Sequence, residues 1–426
     1  MAATLSQTGT KPPVAYSRFN IAAFLWDYIT YFAGTSLLSA ITILPLFASE
    51  VADRAPAIAA HRSVVMALIP TGFAFGALLP QILGAHLVTG RTTYRPFLVK
   101  VGIVERLCQL GCFVSMAMLA HSAPVWLLCV PIGFFFLWAT AMGVNHPAYT
   151  AMLEHTIPAD LRGRVFGFGA ALGGVVGSVF ALIAKRLLSV LPFPYGFVAC
   201  AGIAFVVLTS GLVPLAFVRE TPFEQPPVEE GGSFAARLRG LLRDDPAYGR
   251  YLLSQVFFAV PMMTSAIWTG YALKRFHATG GDVAMMAAVM SIASGGGYLV
   301  TGWLADRFGN RAVLLWSTLA TALAILLAWG APTLPLYIAT FVPLRLADSG
   351  WQLTNFNILM DFAPRGRVHT YTAVAAAVPG PFRVLAPLMG GVLVAELGRH
   401  GPVFAASAVF TVAAAWVLLT VPERRL

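Results

Sequence analysis

Charged residues are scarce in this chain. Asp, Glu, Lys and Arg together make up 11% of its 426 residues, whereas 58% of the residues are hydrophobic. Soluble domains carry about 25% charged residues, and a mean hydropathy of +0.76 is too high for a chain that folds in water. The composition therefore excludes a soluble enzyme or binding protein and predicts an integral membrane protein.

Several kinds of site are also missing. The four cysteines lie inside hydrophobic runs, which predicts small apolar residues rather than disulfides (Cys108, Cys112, Cys129 and Cys200). Met285, Met286 and Met290 fit helix packing better than soft-metal binding. No phosphate-cradling glycine loop and no catalytic constellation occurs, which argues against ATP-driven transport and against an enzyme. We therefore expect no metal and no cofactor.

Long apolar runs are what the sequence does contain. A helix needs about 20 apolar residues to cross the hydrocarbon core of a membrane. Twelve runs approach or exceed that length, and we call them spans 1 to 12: 19–47, 62–86, 97–119, 124–150, 166–191, 196–218, 251–273, 283–305, 312–330, 335–359, 371–395 and 402–421. The predicted fold class is an all-α membrane protein with twelve transmembrane helices.

The basic residues predict the orientation. Lys and Arg are retained on the cytoplasmic side of membrane proteins, and most of the 28 in this chain fall on one set of loops if the N-terminus is inside. Examples are Arg91, Arg95, Arg162, Arg164, Arg307, Arg311, Arg365 and Arg367. Both termini are thus expected in the cytoplasm, with the protein in the inner (plasma) membrane. The net charge of +10 then reflects contact with anionic lipid, and no nucleic-acid partner is implied. The first 18 residues are polar and lack a cleavage site, so we expect span 1 to be retained.

The chain divides into two related halves. Residues 1–18 form a predicted cytoplasmic tail, 19–218 the first half, 219–250 a linker with an amphipathic surface helix, 251–421 the second half and 422–426 a final tail. The segment Gly143 to Glu154 aligns without a gap with Gly350 to Asp361, and each is followed by Pro and then Arg-Gly-Arg. Such an internal duplication is typical of transporters whose substrate binds between the halves.

A short charged turn links spans 8 and 9. It reads Gly-Trp-Leu-Ala-Asp-Arg-Phe-Gly-Asn-Arg, with the key residues Gly302, Asp306, Arg307, Gly309 and Arg311. The spacing resembles the signature loop of the major facilitator superfamily of secondary transporters, and that resemblance covers essentially the whole chain without indicating a subfamily. We expect Asp306 to cap a helix or pair with an arginine, and the loop to act as a conformational latch. The alternative is an ordinary charged cytoplasmic turn.

Polar residues recur at helical spacing in spans 1, 4, 7 and 10. A polar face inside a membrane must contact protein or a water-filled cavity, and the resemblance implies that these four spans line the central cavity. The residues expected to line the substrate cavity are Tyr31, Asn145, His146, Tyr149, Gln255, Trp268, Arg345, Asp348, Gln352, Asn355 and Arg383. The alternative is hydrogen bonding between helices alone.

Asp27 is the candidate for proton coupling. An ionised carboxylate within a membrane helix costs at least ~2.5 kcal/mol, so burial favours its protonated form and makes it able to bind and release a proton. The resemblance implies the same role, because many proton-coupled members of the superfamily use a carboxylate in span 1. The alternative is a permanent ion pair with a cation such as Arg106.

Three further charges are predicted to converge in the second half. Arg345 and Asp348 share one face of span 10, and Arg383 follows Pro379-Gly-Pro381, which should kink span 11. The surplus arginine suggests an anionic substrate group. The alternative is a structural triad in which Asp348 bridges both arginines. Glu105 and Arg106 are adjacent in span 3, so we expect them to point to different sides, in a gating or structural role.

The sequence thus predicts a secondary transporter, expected to be monomeric, that moves a small organic solute by alternating access and couples it to protons. Its partners would be the small-molecule substrate, protons and membrane lipids. The alternative is a non-enzymatic lipid translocator or an assembly factor for membrane components, built on the same fold.

Overall fold

The protein is helical throughout the part of the chain that the structure, a computed structural model, describes: residues 18–222, 234–362 and 368–422. The side chains of Arg162 and Arg164 and all of Arg365 and Arg367 lie outside the described part. The first half contains helices Arg18–Leu37, Ile43–Ala52, Pro56–Ala59, Arg62–Leu78, Pro80–Val88, Arg95–Met118, Pro124–Thr156, Ala159–Val190 and Tyr195–Leu215. A surface helix, Phe234–Asp244, precedes the second half.

The second half begins with Pro246–Ala259, a 3₁₀ turn at Val260–Ala266 and Trp268–Phe276. It continues with Gly280–Phe308, Asn310–Gly330, Leu334–Ala339, Phe341–Phe362, Val368–Ala377, Gly380–Leu397 and Gly401–Leu419. Each of the twelve predicted spans corresponds to one of these helices or to a broken pair. The predicted all-α membrane fold is therefore confirmed.

Not every span is a continuous apolar helix. Within the described residues, eight helices are long and apolar enough to cross a membrane, or nine if the bent pair in span 7 is counted as one. Span 3 carries Lys100, Glu105 and Arg106, and span 10 carries Arg345 and Asp348, which lowers the hydropathy of both. The spans that are less apolar hold the buried charges, which is expected where helices face protein or water rather than lipid.

The breaks have local causes. Span 1 is interrupted between Leu37 and Ile43, where the Ser39 hydroxyl accepts hydrogen bonds from the backbone N–H groups of Ile41 and Thr42. Span 7 bends by 43° after Pro261, which cannot donate a helical hydrogen bond. Span 11 is interrupted between Ala377 and Gly380, at the Pro379-Gly-Pro381 sequence for which a kink was predicted.

The linker region differs in extent from the prediction. The surface helix ends at Asp244, and span 7 begins at Pro246 rather than at residue 251. Asp245 causes the change, because its carboxylate accepts a hydrogen bond from the Tyr248 backbone N–H at 3.1 Å and caps the new helix.

The hydrophobic core is distributed unequally between the two ends of the molecule. We call the end that holds Arg18 and Leu419 the terminal side, and the end that holds Ala52 and Gly401 the opposite side. On the opposite side core clusters combine both halves, and the largest runs from Leu37 and Phe47 to Phe341 and Phe404. On the terminal side the side chains that the structure describes form one core cluster per half. The halves therefore pack together on the opposite side, and among the described side chains their shared core does not extend to the terminal side.

Direct contacts between the halves agree with this arrangement. The Thr269 hydroxyl donates to the Ile41 carbonyl at 2.9 Å, and the hydroxyls of Ser36 and Ser291 lie 2.8 Å apart. Spans 5 and 8 cross at Gly174 and Gly295, where a Cβ added to either glycine would lie within 3.0 Å of backbone atoms of the other span. Such spacing requires glycine and holds two backbones in close contact.

Candidate functional site

The first half contains a buried cluster of charged and polar side chains from three spans. Asn145 of span 4 donates to Glu105 Oε1 at 2.7 Å and to the Leu98 carbonyl at 3.3 Å. Glu105 is only 7% exposed. We call Asp27, Glu105, Arg106 and Asn145 the acidic cluster, because its two carboxylates outnumber its single cation.

Glu105 and Arg106 do not behave as predicted. Adjacent residues on a helix were expected to point apart, but Arg106 Nη1 lies 3.2 Å from Glu105 Oε2. The long arginine side chain can fold back along the helix, and an ionised carboxylate so deeply buried requires a cation. The charge of Glu105 is therefore balanced within its own span, and the expectation that the two side chains point to different sides was wrong.

Asp27 lies beside this pair without joining it. Arg106 is close enough to interact electrostatically with the Asp27 carboxylate, and the Tyr149 hydroxyl approaches the same group. Among the described residues Asp27 forms no ion pair, so the alternative of a permanent Asp27–Arg106 pair is not what the structure shows. Span 6 packs against it, because a Cβ added to Gly211 would lie 3.0 Å from Asp27 Oδ1.

The predicted cavity residues of spans 1 and 4 separate into two groups. Tyr31 is 36% exposed, its hydroxyl contacts Met142 Sδ at 3.9 Å, and His146 is exposed. By contrast Thr30 is 4% exposed and Trp138 is 3% exposed, although they lie on the same helical faces of spans 1 and 4 as Tyr31 and His146. One helical face therefore supplies both accessible and packed residues, and helical spacing alone does not separate them.

The second half holds a network around Arg345. Its Nη1 lies 2.9 Å from Asp348 Oδ2, and its Nε donates to the Ser294 hydroxyl at 2.8 Å. Gln352 donates to Asp348 at 3.0 Å and accepts from the Tyr298 hydroxyl at 3.1 Å. The chain of bonds joins spans 8 and 10, and it neutralises Arg345 with Asp348.

Arg383 lies apart from this network. Its Nη2 donates to Gln255 Oε1 at 3.4 Å, and its guanidinium stands 4.7 Å from the centre of the Trp351 ring. No described carboxylate forms an ion pair with it. The predicted convergence of three charges was therefore wrong, as was the alternative triad, because Arg383 is held by an amide and an aromatic face instead of Asp348.

Two other candidates are placed in packed surroundings. Trp268 is 3% exposed and contacts the rings of Tyr337, Phe341 and Phe404. It belongs to the core on the opposite side, and its prediction as a cavity residue was wrong. Asn355 accepts a hydrogen bond from the Tyr251 hydroxyl at 2.5 Å and joins spans 7 and 10.

Tyr298, which was not predicted as a site residue, lies between the halves. Tyr298 of span 8 lies within electrostatic range of Tyr28 and Tyr31 of span 1, and of Arg345 and Asp348. It therefore stands where the two polar clusters face each other. The sequence feature that could have indicated Tyr298 is a polar aromatic residue directly after Gly295, Gly296 and Gly297. It lies in span 8, which is not one of the four spans with a predicted polar face.

The loop between spans 8 and 9 has a different geometry from the one predicted. Asp306 lies in the last turn of Gly280–Phe308, is exposed, and forms no ion pair with a described residue. Arg307 lies near the rings of Trp303 and Phe308, and Arg311 donates to the Leu419 carbonyl at 2.8 Å. The expected capping and pairing by Asp306 are wrong for this conformation. Gly309 has φ +86° and makes the sharp turn, and Gly302 approaches Leu353.

Comparisons with known proteins agree with the architecture. The family model of the Major Facilitator Superfamily matches residues 251–426, whereas no curated protein matches the sequence. A D-xylose-proton symporter has the same fold, with 15% identity, a TM-score of 0.67 and coverage of 95% of this chain and 97% of that chain.

Two further solved structures are similar. The human organic anion transporter MFSD10 (TETRAN) has 16% identity and a TM-score of 0.64 over 96% of this chain and 100% of that chain. The E. coli fucose:proton symporter FucP has 14% identity and a TM-score of 0.61 over 95% of this chain and 98% of that chain. At these identities the likeness shows the fold. The second half matches the family model and the fold is shared along nearly the whole length, so the chain is a multi-pass membrane protein with the fold of the major facilitator superfamily.

Proposed function

We propose that the protein is a secondary transporter that moves a small organic anion by alternating access and couples its movement to protons through Asp27. The observation that carries the proposal is the split core. The halves are packed together on the opposite side, whereas the described side chains of the terminal side form a separate core in each half. The first half holds the acidic cluster, and the second half holds the neutral Arg345–Asp348 pair and, apart from it, Arg383. A substrate entering from the terminal side would reach both clusters.

The orientation follows from the basic residues of the terminal side. Arg91, Arg95, Arg307 and Arg311 lie there, and basic residues are retained in the cytoplasm. We therefore place both termini in the cytoplasm of the inner (plasma) membrane, with the halves divided by the linker 219–250. The structure then represents a state open to the cytoplasm.

Asp27 is suited to carry a proton. It is half-buried, it lies beside an arginine that already serves Glu105, and it has the Tyr149 hydroxyl nearby. A carboxyl in these surroundings is stable when protonated in the membrane and needs a compensating charge when ionised. Two of the structural relatives are proton symporters by name, which supports the proposal.

Arg383 is suited to bind the anion. An arginine within a membrane span is costly unless an anion or hydrogen-bond acceptors compensate it, and Arg383 has an amide oxygen and an indole ring in place of a carboxylate. A substrate carboxylate would complete its coordination by charge-assisted hydrogen bonds. The human relative is an organic anion transporter by name, which supports this substrate class.

Transport by the purified protein in proteoliposomes tests the proposal. A thermal-shift screen of small carboxylates, sulfonates and organic phosphates identifies a ligand, whose radiolabelled form is then followed under an imposed pH gradient and in counterflow. Asp27→Asn should abolish accumulation driven by the pH gradient but retain part of the counterflow, because an amide keeps hydrogen bonds but carries no titratable proton. Glu396→Gln, at an exposed position near the end of span 11, is the matched control and should accumulate ligand normally. Full accumulation by Asp27→Asn would remove Asp27 from the coupling mechanism.

A further inference from the structure

The acidic cluster contains more carboxylates than its cations can neutralise. Asp27 and Glu105 interact electrostatically with each other, and Arg106 interacts with both. If both carboxylates were ionised, the cluster would carry a net negative charge within the membrane spans, where Glu105 is buried and Asp27 is half-buried. Uncompensated charge of this kind is strongly disfavoured within a membrane protein, so one carboxyl group should hold a proton.

The partners of the two carboxyl groups favour Glu105 as the ionised one in this conformation. Glu105 has Arg106 at 3.2 Å and the Asn145 amide N–H at 2.7 Å, both of which stabilise its charged form. Asp27 has no ion pair among the described residues, and the Tyr149 hydroxyl beside it is a neutral donor that stabilises a carboxylate less than a cation does. We infer that the proton resides on Asp27 when Arg106 is paired with Glu105.

Unused hydrogen-bonding capacity surrounds Arg106. Arg106 Nε, Asn145 Oδ1 and both amide atoms of Gln109 are buried without a partner among the described residues. Such unsatisfied groups are costly in a single fixed arrangement. They provide acceptors and donors for a second arrangement in which Arg106 turns away from Glu105 and toward Asp27.

We propose that Glu105 is a second proton-binding group, which shares one proton with Asp27 while Arg106 pairs with whichever carboxylate is ionised. When Arg106 moves to Asp27, the proton leaves the Asp27 carboxyl and is taken up by the Glu105 carboxylate, so that the number of protons and the charge of the cluster do not change. The inference rests on the proposed proton coupling through Asp27, and it adds a second location for the same proton, held by span 3.

The other titratable groups near the cluster do not provide the missing positive charge. Span 1 contributes Tyr31 and span 4 contributes Tyr149, and both are neutral donors in their ordinary state. Span 3 itself contributes Cys108 near Glu105. Span 6 packs against Asp27 with Gly211, which has no side chain to titrate. Arg106 is thus the cation on which the charge balance depends.

Infrared difference spectroscopy of the full-length protein in lipid tests the proposal, because the C=O stretch of a protonated carboxyl group is separate from the bands of ionised carboxylates. The wild type at neutral pH should show a band that corresponds to one protonated carboxyl in this cluster. Asp27→Asn should lose that band, since Glu105 stays paired with Arg106. Glu105→Gln should lose it as well, because Arg106 is then free to pair with Asp27 and ionise it.

Three further variants complete the test. Arg106→Gln should roughly double the band, because both carboxyl groups must then be neutral. Glu105→Asp keeps the carboxyl group and should retain the wild-type band, which separates the loss of the acid from a folding defect; Glu396→Gln should also leave it unchanged. A wild type without the band, a Glu105→Gln spectrum that keeps it, or an Arg106→Gln spectrum without any gain would each overturn the proposal. Failure of the transport proposal is recognised separately, as an absence of counterflow by the wild type.

Discussion

At the scale of single residues, compensation of charge distinguishes the two arginines of the second half. Arg345 is neutralised by Asp348 and also donates to Ser294, whereas Arg383 has an amide and an aromatic ring as its described partners. An amide oxygen at 3.4 Å is a weak, long hydrogen bond. The guanidinium of Arg383 therefore keeps donors available for an anion. The guanidinium of Arg345 instead uses its donors within the protein, on Asp348 and Ser294.

Replacing Arg383 by lysine tests this distinction. A lysine keeps the positive charge but lacks the planar fork of donors that binds a carboxylate through two hydrogen bonds, and one hydrogen bond to a charged group contributes about 1.5–3 kcal/mol. Arg383→Lys should therefore weaken binding of an anionic ligand by about 10- to 100-fold, measured by titration calorimetry. Arg275→Lys, at an exposed site at the end of span 7, is the control. Binding as tight as in the wild type, or a ligand that proves to be cationic, would show that Arg383 is structural.

At the scale of helices, the sequence predicted which segments would be helical but not how their side chains pair. Apolar runs fix the spans because a membrane requires about 20 apolar residues, and Pro379 and Pro381 fixed the break in span 11. Pairing depends on the rotation of neighbouring helices. Trp268 has nearly the same helical register as Ser254 in span 7, yet it lies in the core beyond the 3₁₀ turn at Val260–Ala266, and a periodic pattern does not reveal that turn.

The charged turn after span 8 places a carboxylate at the end of a helix. Asp306 lies in the last turn of its helix, where the helix dipole disfavours a negative charge by about 0.3–1 kcal/mol. Its position is therefore unfavourable in the open conformation unless another conformation provides a partner. We infer that Asp306 gains a cationic or N–H partner when the terminal side closes.

Replacing Asp306 by alanine tests whether this residue stabilises the conformation in which the terminal side is closed. Asp306→Ala should slow counterflow about tenfold or more, equivalent to about 1.4 kcal/mol if the closed state loses one charge-assisted contact. The equilibrium affinity for the ligand should change less than about twofold, because Asp306 lies in the last, exposed turn of its helix, forms no hydrogen bond or ion pair with a described residue of the polar clusters and would contribute mainly to the conformational equilibrium. Asp306→Asn, which keeps the hydrogen-bonding shape, is the matched variant and should be less affected. A strong loss of affinity with unchanged counterflow would refute the latch hypothesis.

At the scale of the whole molecule, the position of the common core defines the conformation. Both halves contribute to shared hydrophobic clusters on the opposite side, whereas the described side chains of the terminal side form a separate cluster in each half. Contacts such as Ser36 with Ser291 and Gly174 with Gly295 lie between these regions. Rocking of the halves about these contacts would open the opposite side and close the terminal side, which is the motion that alternating access requires.

Distances between spin labels on the two halves, in lipid and in a background without the four native cysteines, test alternating access most directly. One pair joins the exposed terminal-side positions Thr89 and Phe308, and the matched pair joins the exposed opposite-side positions Ala60 and Arg399. With the anionic ligand and at lowered pH, we predict that the terminal-side distance shortens while the opposite-side distance lengthens, and that Asp27→Asn loses the response to pH. Distances that stay fixed, or that change in the same direction at both ends, would contradict the account.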